Sequence, residues 1–495
     1  MIWDGPQDRI FVGGEWRRPK ATDSVDVISP FTQMPIARVV SASRADMDEA
    51  VAEARAAFEA GPWPRLPLGE RMAVLERLSV LLAAEQDQVA RLISAEMGCP
   101  ITLSRSMQAA GPRVLLDSFL ELAPRFAFTE LRRSSTGNGL VIREPVGVIA
   151  AVIPWNAPML IAMLKLAPAL LAGNSVVLKP ALETPFDSFL LADLARRAGV
   201  PQGVLNVVPA DREASEYLCL HPGVDKVSFT GSSAAGRRLA TLCGERIRRI
   251  TLELGGKSAA IVLDDADLAQ VVESLRLNSL RNSGQVCSNK TRLVVSRRRQ
   301  ADFLEAYAAM VAAMPVGDPF DPATQIGPLV SSRQRDRVEA YIAKGKAQGA
   351  RLVLGGGRPL GLDRGWFVAP TIFADVAPDA TIAQEEIFGP VISVLTYEDE
   401  DEAVAIANMS VYGLNGSVFS GDVEHAVALA KRIRTGAVEI NGAGVGFHSP
   451  IGGVKQSGLG REAGLEGFEA CIELKSIGLP SSYADQLASG AGGTD

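Results

Sequence analysis

Two doubly wound α/β domains with a small β excursion are the fold class that this 495-residue sequence predicts, on three observations. From about residue 140, short β-branched runs alternate with helical stretches. The alternation restarts after LELGGKS, and one segment, FTELRRSSTGNGLVIRE at 128–144, fits neither run. Strands alternating with helices imply parallel sheets covered on both faces. A chain of this length also exceeds what one simple core organises, so two or more domains are expected.

The elements follow in chain order. RIFVGGEW reads as strand. Ser43 is a fitting N-cap for ADMDEAVAEARAAFEA, whose apolar residues recur at helical spacing. ERMAVLERLSVLLAAEQDQVARLISAEMG reads as one further helix, stopped by Gly98. The Asn138–Gly139 pair marks a hairpin turn in the excursion. VGVIAAVIP, NSVVLKP, VLNVVP and KVSFTGS read as buried strands, with helices near 158–171, 184–198, 212–220 and 233–243. The second unit begins near Gly255–Gly256 and offers SAAIVL, TRLVVS, VISVLTY, SVFSG and AVEIN as strands. Its helices are expected near 267–279, 300–313, 332–348, 400–409 and 422–434. The tail ASGAGGTD is small and polar and reads as disordered.

Composition excludes several function classes. A net charge of −7 with scattered Lys and Arg speaks against a nucleic-acid partner. The most apolar stretch, 158–173, is interrupted by Lys165 and Pro168 and is too short to span a bilayer, so no membrane association is expected. The acidic start, MIWDGPQDRI, is unlike a signal peptide. Five cysteines, widely spaced, with no CxxC and no cysteine–histidine cluster, indicate neither a disulfide framework nor a metal site. The chain reads as a soluble protein of the reducing cytoplasm.

Five places carry residues suited to chemistry. RNSGQVCSNK holds Cys287, yet the three histidines, His221, His425 and His448, lie in stretches that do not otherwise look like a site. A nucleophilic Cys287 therefore needs another base. Glu253, in the apolar run RITLELGGKS, is either ion-paired or a carboxylate whose pKa an apolar site raises until it serves as one. Asn156, in AVIPWNAPML, is either a helix N-cap or an amide donor aimed at a developing oxyanion. KVSFTGSSAAGRRL places Gly231 and Gly236 in a strand-to-helix turn that suits phosphate or is simply tight. Its glycines have P-loop spacing, but Arg237–Arg238 stand where Lys–Ser/Thr should, so a nucleotide hydrolase is not indicated. Lys179 ends the strand SVVLKP, where it is either solvated or within reach of a ribose or phosphate.

Together PWNAP, VVLKP, FTGSSAAG, LELGGKS, GQVCSN, EEIFGPV and PIGGVKQSGLGRE stand in the order and rough spacing of the NAD(P)-dependent aldehyde dehydrogenase superfamily, and the chain resembles it from about residue 10 to 478. The resemblance implies a Rossmann-like cofactor-binding domain at 1–127 and 145–255 and a catalytic domain at 256–474. It implies a bridging segment at 128–144 and 475–495 that joins subunits of a homodimer or homotetramer. By the same resemblance Cys287 attacks an aldehyde, Asn156 and the Cys287 N–H hold the oxyanion, and hydride leaves for the nicotinamide. Glu253 then activates the water that hydrolyses the thioester, answering the need for a base without histidine. Lys165 occupies a position near the catalytic residues suited to a proton relay. Trp155, Lys179, Gly231, Ser232, Gly236, Leu254, Glu386 and Phe388 fall at cofactor-binding positions, with Lys179 on the adenosine ribose and Glu386 on the nicotinamide ribose.

The sequence departs from the family in two places. Leu182 stands where NAD-preferring members carry a ribose-binding glutamate, with Glu183 one residue later, so NAD is expected and NADP is admitted. Ala157 and Leu164 stand where small-aldehyde members carry Phe and Trp. With Met159, Leu160 and Phe447 they imply an apolar pocket for medium-size aliphatic or aromatic aldehydes. The rival readings are a CoA-acylating member, which typically lacks the catalytic glutamate, and a silent structural homologue, which loses one of Cys287, Asn156 and Glu253.

Overall fold

The computed structural model describes residue 3 and residues 5–489. An eight-stranded sheet forms the first unit. Its five central strands, Arg249–Glu253, Lys226–Thr230, Val148–Val152, Ser175–Lys179 and Leu205–Val207, run parallel in that order. The chain's first parallel strand, Val148–Val152, lies between the second and the fourth, which creates a switch point beside it. The second unit is a seven-stranded sheet in which Val391–Tyr397, Lys290–Ser296, Ser258–Val262, Gly416–Phe419 and Glu439–Ile440 are successive parallel neighbours. The central strands Val148–Val152, Ser175–Lys179, Ser258–Val262 and Val391–Tyr397 are almost wholly buried, as their near-continuous apolar runs require.

Helix Arg44–Glu59 begins at Ser43 with a reciprocal capping box: the Ser43 hydroxyl and Asp46 backbone N–H pair, while the Asp46 carboxylate receives the Ser43 N–H at 2.8 Å. Helices Pro158–Ala172, Phe186–Ala198, Arg212–Leu220 and Ser233–Gly244 fall where alternation places them. RIFVGGEW makes two strands, Ile10–Val12 and Glu15–Arg17, which close the far edge of the first sheet.

Three expectations change. The long second helix is two, Leu68–Ala84 and Gln86–Met97, parted at Glu85. Buried Leu82 and Val89 are seven residues apart, which keeps helical phase across the break, so periodicity could not reveal it. The excursion does form a hairpin, Thr129–Ser134 with Gly137–Pro145, but its turn is Ser135–Thr136 and Asn138–Gly139 lies in the strand. Pairing of Gly137–Pro145 with Ile472–Leu479 on its other side sets that register. The chain also returns to the first unit before residue 474. Gly458–Leu459 pairs antiparallel with Arg249–Glu253, and Ala463, Phe468 and Cys471 are buried in the first core. Of the tail expected to be disordered, 490–495 lie outside the described residues and Ala488 ends a helix.

Candidate active site between the two sheets

The carboxyl ends of the first sheet's parallel strands carry Asn156, Lys179, Gly231 and Glu253, the edge at which open α/β sheets bind ligands. The second sheet faces them with the amino end of strand Lys290–Ser296, just after Cys287, and the amino end of Val391–Tyr397, just after Glu386 and Phe388. The double glycine makes this approach sterically feasible. A Cβ on Gly255 would lie 2.2 Å from Glu386 Oε2, and one on Gly256 would lie 2.6 Å from the Cys287 carbonyl oxygen. The Gly256 N–H donates to Glu386 Oε1 at 3.0 Å.

Cys287 is partly buried and follows a strained left-handed turn. Asn282, Ser283 and Gly284 have φ of 53°, 56° and 79°, conformations that cost L-residues energy. The turn is over-determined: the Ser283 hydroxyl donates to the Gly327 carbonyl at 2.8 Å, and the Val330 N–H donates to Gln285 Oε1 at 3.0 Å. Dense surroundings push the Cys287 thiol up to about 12, first by burial and then through Glu386 and Glu253, while Arg281 opposes them.

Asn156 is not a helix N-cap. That position is Ala157, without a side-chain bond, and Asn156 Nδ2 instead donates to the Gln285 carbonyl at 3.0 Å, two residues before the thiol. One amide hydrogen is thereby fixed and the other is left for an oxygen beside Cys287. Glu253 is in no ion pair among the described residues, and its Oε1 has no hydrogen-bond partner there. A Cβ on Gly452 would come within 2.6 Å of that oxygen, so the glycines of PIGG leave it room. Burial, then Glu462, raise the Glu253 carboxyl well above the ordinary range against Lys165 and Arg461. Lys165 is buried and pairs with Glu462 at 2.6 Å, and the Ser228 hydroxyl donates to the same carboxylate oxygen at 3.2 Å.

The cofactor-side expectations also converge. Trp155 and Phe388 meet edge to face at 5.4 Å between centroids. Lys179 is buried, which lowers its ammonium pKa despite Glu183, and it pairs with no carboxylate among the described residues. Ser232 caps helix Ser233–Gly244, accepting from the Ala235 N–H at 3.3 Å, and the Gly231 N–H donates to the Glu253 carbonyl. A Cβ on Gly236 would meet the Leu254 side chain at 2.5 Å, so that glycine brings the helix's N-terminal turn down onto the sheet. This cradle fits a dinucleotide: an unpaired ammonium, a glycine-lined helix start, and a carboxylate gripped by a backbone N–H.

Of the substrate-pocket candidates, Ala157, Leu160, Leu164 and Phe447 are half-buried, and Leu160 lies over Gly111, whose added Cβ would be 3.2 Å away. Met159 is different. It is fully buried in the first core and presents no surface, because it lies on the inward face of helix Pro158–Ala172. The histidines stand in surface pairs, His221 with Asp48, His425 with Glu400 and His448 with Glu121. Sequence reasoning missed Glu462, although it ends the quoted PIGGVKQSGLGRE, because nothing local distinguishes it from a solvated charge. It also missed Gln108 and Asn282, whose amides both donate to the Asn156 carbonyl.

Comparison with known proteins agrees with this geometry. The profile of the aldehyde dehydrogenase family matches residues 16–477. Geranial dehydrogenase of Castellaniella defragrans is 47% identical over 471 residues, covering 95% of this chain and 98% of that one. A Mycobacterium tuberculosis aldehyde dehydrogenase complexed with NAD+ superimposes with a TM-score of 0.94 at 48% identity, covering 96% and 98%. A cysteine-to-alanine variant of aldehyde dehydrogenase C from Pseudomonas syringae, complexed with NAD+ and octanal, gives 0.92 at 39% identity, covering 95% and 96%. The chain belongs to the aldehyde dehydrogenase family.

Proposed function

We propose that the chain oxidises a medium-size apolar aliphatic or aromatic aldehyde to its carboxylic acid with NAD, through covalent catalysis at Cys287. The observation that carries this reading is the tie from Asn156 Nδ2 to the Gln285 carbonyl, which sets an amide donor beside the thiol while Glu253 stands unpaired opposite.

Cys287 Sγ, its proton passed to solvent water, attacks the carbonyl carbon. The oxyanion of the thiohemiacetal is held by the second Asn156 amide hydrogen and by the Cys287 N–H, which faces the sulfur. NAD would supply the hydride acceptor; Lys179 and the Gly231–Gly236 turn would hold its adenosine and phosphates, and Glu386, Leu254, Trp155 and Phe388 would hold the nicotinamide end. The carbon left on sulfur is a thioester. Glu253, kept basic by its apolar setting, takes a proton from water as the water attacks, and the acid leaves as Cys287 is restored. The Glu462–Lys165 pair, adjacent to Glu253 and buried, offers the proton a way out.

The half-buried apolar side chains of Ala157, Leu160, Leu164 and Phe447 support the substrate class. The relative named geranial dehydrogenase and the octanal complex of the Pseudomonas syringae enzyme point the same way. Leu182 supplies neither a hydrogen bond to a ribose nor repulsion of a 2′-phosphate, so NADP is an admitted alternative. We assign cofactor binding to 1–127 and 145–255, catalysis to 256–474 apart from the segment from Gly458 on, which packs on the first unit, and subunit contact to 128–144 and 475–495. Leu474 and Ile477 are exposed on Ile472–Leu479, an edge strand of the three-stranded sheet, which supports a homodimer or homotetramer. No helix among the described residues is long and apolar enough to cross a membrane, in keeping with a cytoplasmic enzyme. Product analysis with octanal and NAD, with and without CoA, tests the reading. Octanoate is expected in both, and an acyl-CoA that forms only with CoA would overturn it.

A further inference from the structure

We propose that Gln108 is a positioning residue for aldehyde oxidation that acts through Asn156. The inference rests on the oxyanion role of Asn156 proposed above and extends it to a residue outside the reacting groups.

Gln108 lies in a π-helical turn, Ser104–Ala109, between Gln86–Met97 and helix Ala110–Leu122. Such turns are rare and recur at functional sites, because they rotate side chains out of helical register. Here the turn points Gln108 inward, 5% exposed, and its Nε2 donates to the main-chain carbonyl of Asn156 at 2.9 Å. The same oxygen accepts Asn282 Nδ2 at 3.1 Å. Both lone pairs of one buried carbonyl are thus held by side-chain amides from separate elements.

The two donors do different work. Asn282 belongs to the cysteine loop, bonded to it by the Gln285 N–H at 3.0 Å, and moves with the thiol. Gln108 belongs to the helical layer of the first unit and fixes Asn156 relative to that frame. Gln108 makes this bond at a cost, since its Oε1 is buried without a partner, worth about 1–3 kcal/mol. Turning the amide would not relieve it, because Oε1 would then face the Asn156 carbonyl oxygen. Around it the fully buried Cys99 thiol, within hydrogen-bonding reach of Ser104 and Gln108, is pushed up to about 12 by burial, so it stays neutral and brings no charge to the amide. With the carbonyl pinned and one Nδ2 hydrogen on Gln285, the remaining hydrogen has one direction.

The test is a double-mutant cycle on kcat/KM for octanal at saturating NAD, using Gln108→Met, Asn156→Ala and the double variant. Gln108→Met keeps length and removes the donor. The expected result is a loss on the order of 10- to 100-fold from the single change, unchanged affinity for NAD, and no further loss in the Asn156→Ala background. A loss under about twofold, or an equal loss in the Asn156→Ala background, overturns the proposal. If Asn156→Ala itself leaves kcat/KM unchanged, the oxyanion reading fails and this inference falls with it. Should Gln108→Met not fold, Gln108→Glu serves. Its protonated carboxyl donates to the Asn156 carbonyl and its carboxylate repels it, so kcat/KM relative to wild type must rise as pH falls. A pH-independent ratio overturns the proposal.

Discussion

In the proposed chemistry Cys287 is a nucleophile that its own surroundings hold protonated. Burial, then Glu386 and Glu253, favour the thiol, and Arg281 and the Cys287 backbone N–H oppose them without prevailing. Alkylation of the free enzyme by iodoacetamide should therefore climb steadily with pH and show no plateau near pH 9; a plateau there would mean that the thiolate is stabilised without cofactor. Glu253 has the complementary bias. Its raised pKa leaves a base that works only when deprotonated, so kcat should fall as pH drops through that value. Glu253→Gln should remove this limb and lower kcat by about 10²- to 10⁴-fold while a first-turnover burst of NADH persists. The stability sign is opposite. A carboxyl whose folded pKa lies above its unfolded one contributes stability below the unfolded value and loses it as pH rises through the folded value. The Glu253→Gln enzyme should thus melt higher than wild type at pH 8, by calorimetry. At the cofactor end, Leu182→Glu should cut the NADP rate by about tenfold or more relative to NAD, the repulsion of one carboxylate for a 2′-phosphate being on the order of 1–4 kcal/mol.

Elements show what the sequence could and could not reveal. Helix Arg44–Glu59 was legible because its signal is local: Ser43, Asp46 and the apolar spacing lie within one window. Ser43→Ala should cost about 1 kcal/mol in denaturant unfolding. Burial of Asp46 works against its ionisation but is outweighed by hydrogen bonds from Ser43, Lys20 and Ala21, so its pKa is lowered. Its contribution is present above the unfolded carboxylate value and fades as pH falls through the folded one. The parallel strands were legible for a similar reason, since burial on both faces writes continuous apolar runs. The π turn at 104–109 was not, because it differs from an α-helix by one residue of register and leaves composition untouched. The hairpin turn was misplaced by an Asn–Gly pair whose local preference yields to a third strand 330 residues downstream. Cys287, Glu253 and Asn156 were visible as residues of the right type, but singly each also had an ordinary reading. Their motifs in order lifted that ambiguity. What no window contains is the layer behind them, Gln108, Asn282 and Glu462, brought in from distant parts of the chain.

The whole molecule places its chemistry where neither sheet alone could. The carboxyl edge of one sheet meets the amino edge of the other across Leu254–Lys257, and the chain returns through Gly458–Leu459 to fasten the two together. The exposed edge at Ile472–Leu479 leaves Leu474 and Ile477 uncovered. Leu474→Arg with Ile477→Arg should convert the native oligomer to monomers by light scattering, and an unchanged mass would place the subunit contact elsewhere. The central claim is that aldehyde oxidation runs through the sulfur of Cys287, and its most direct measurement is the absorbance of reduced nicotinamide on mixing enzyme with octanal and NAD beside a Cys287→Ala control. Aldehyde-dependent NADH formation that disappears in the control is the result this account predicts. NADH formed at an undiminished rate by Cys287→Ala would contradict it.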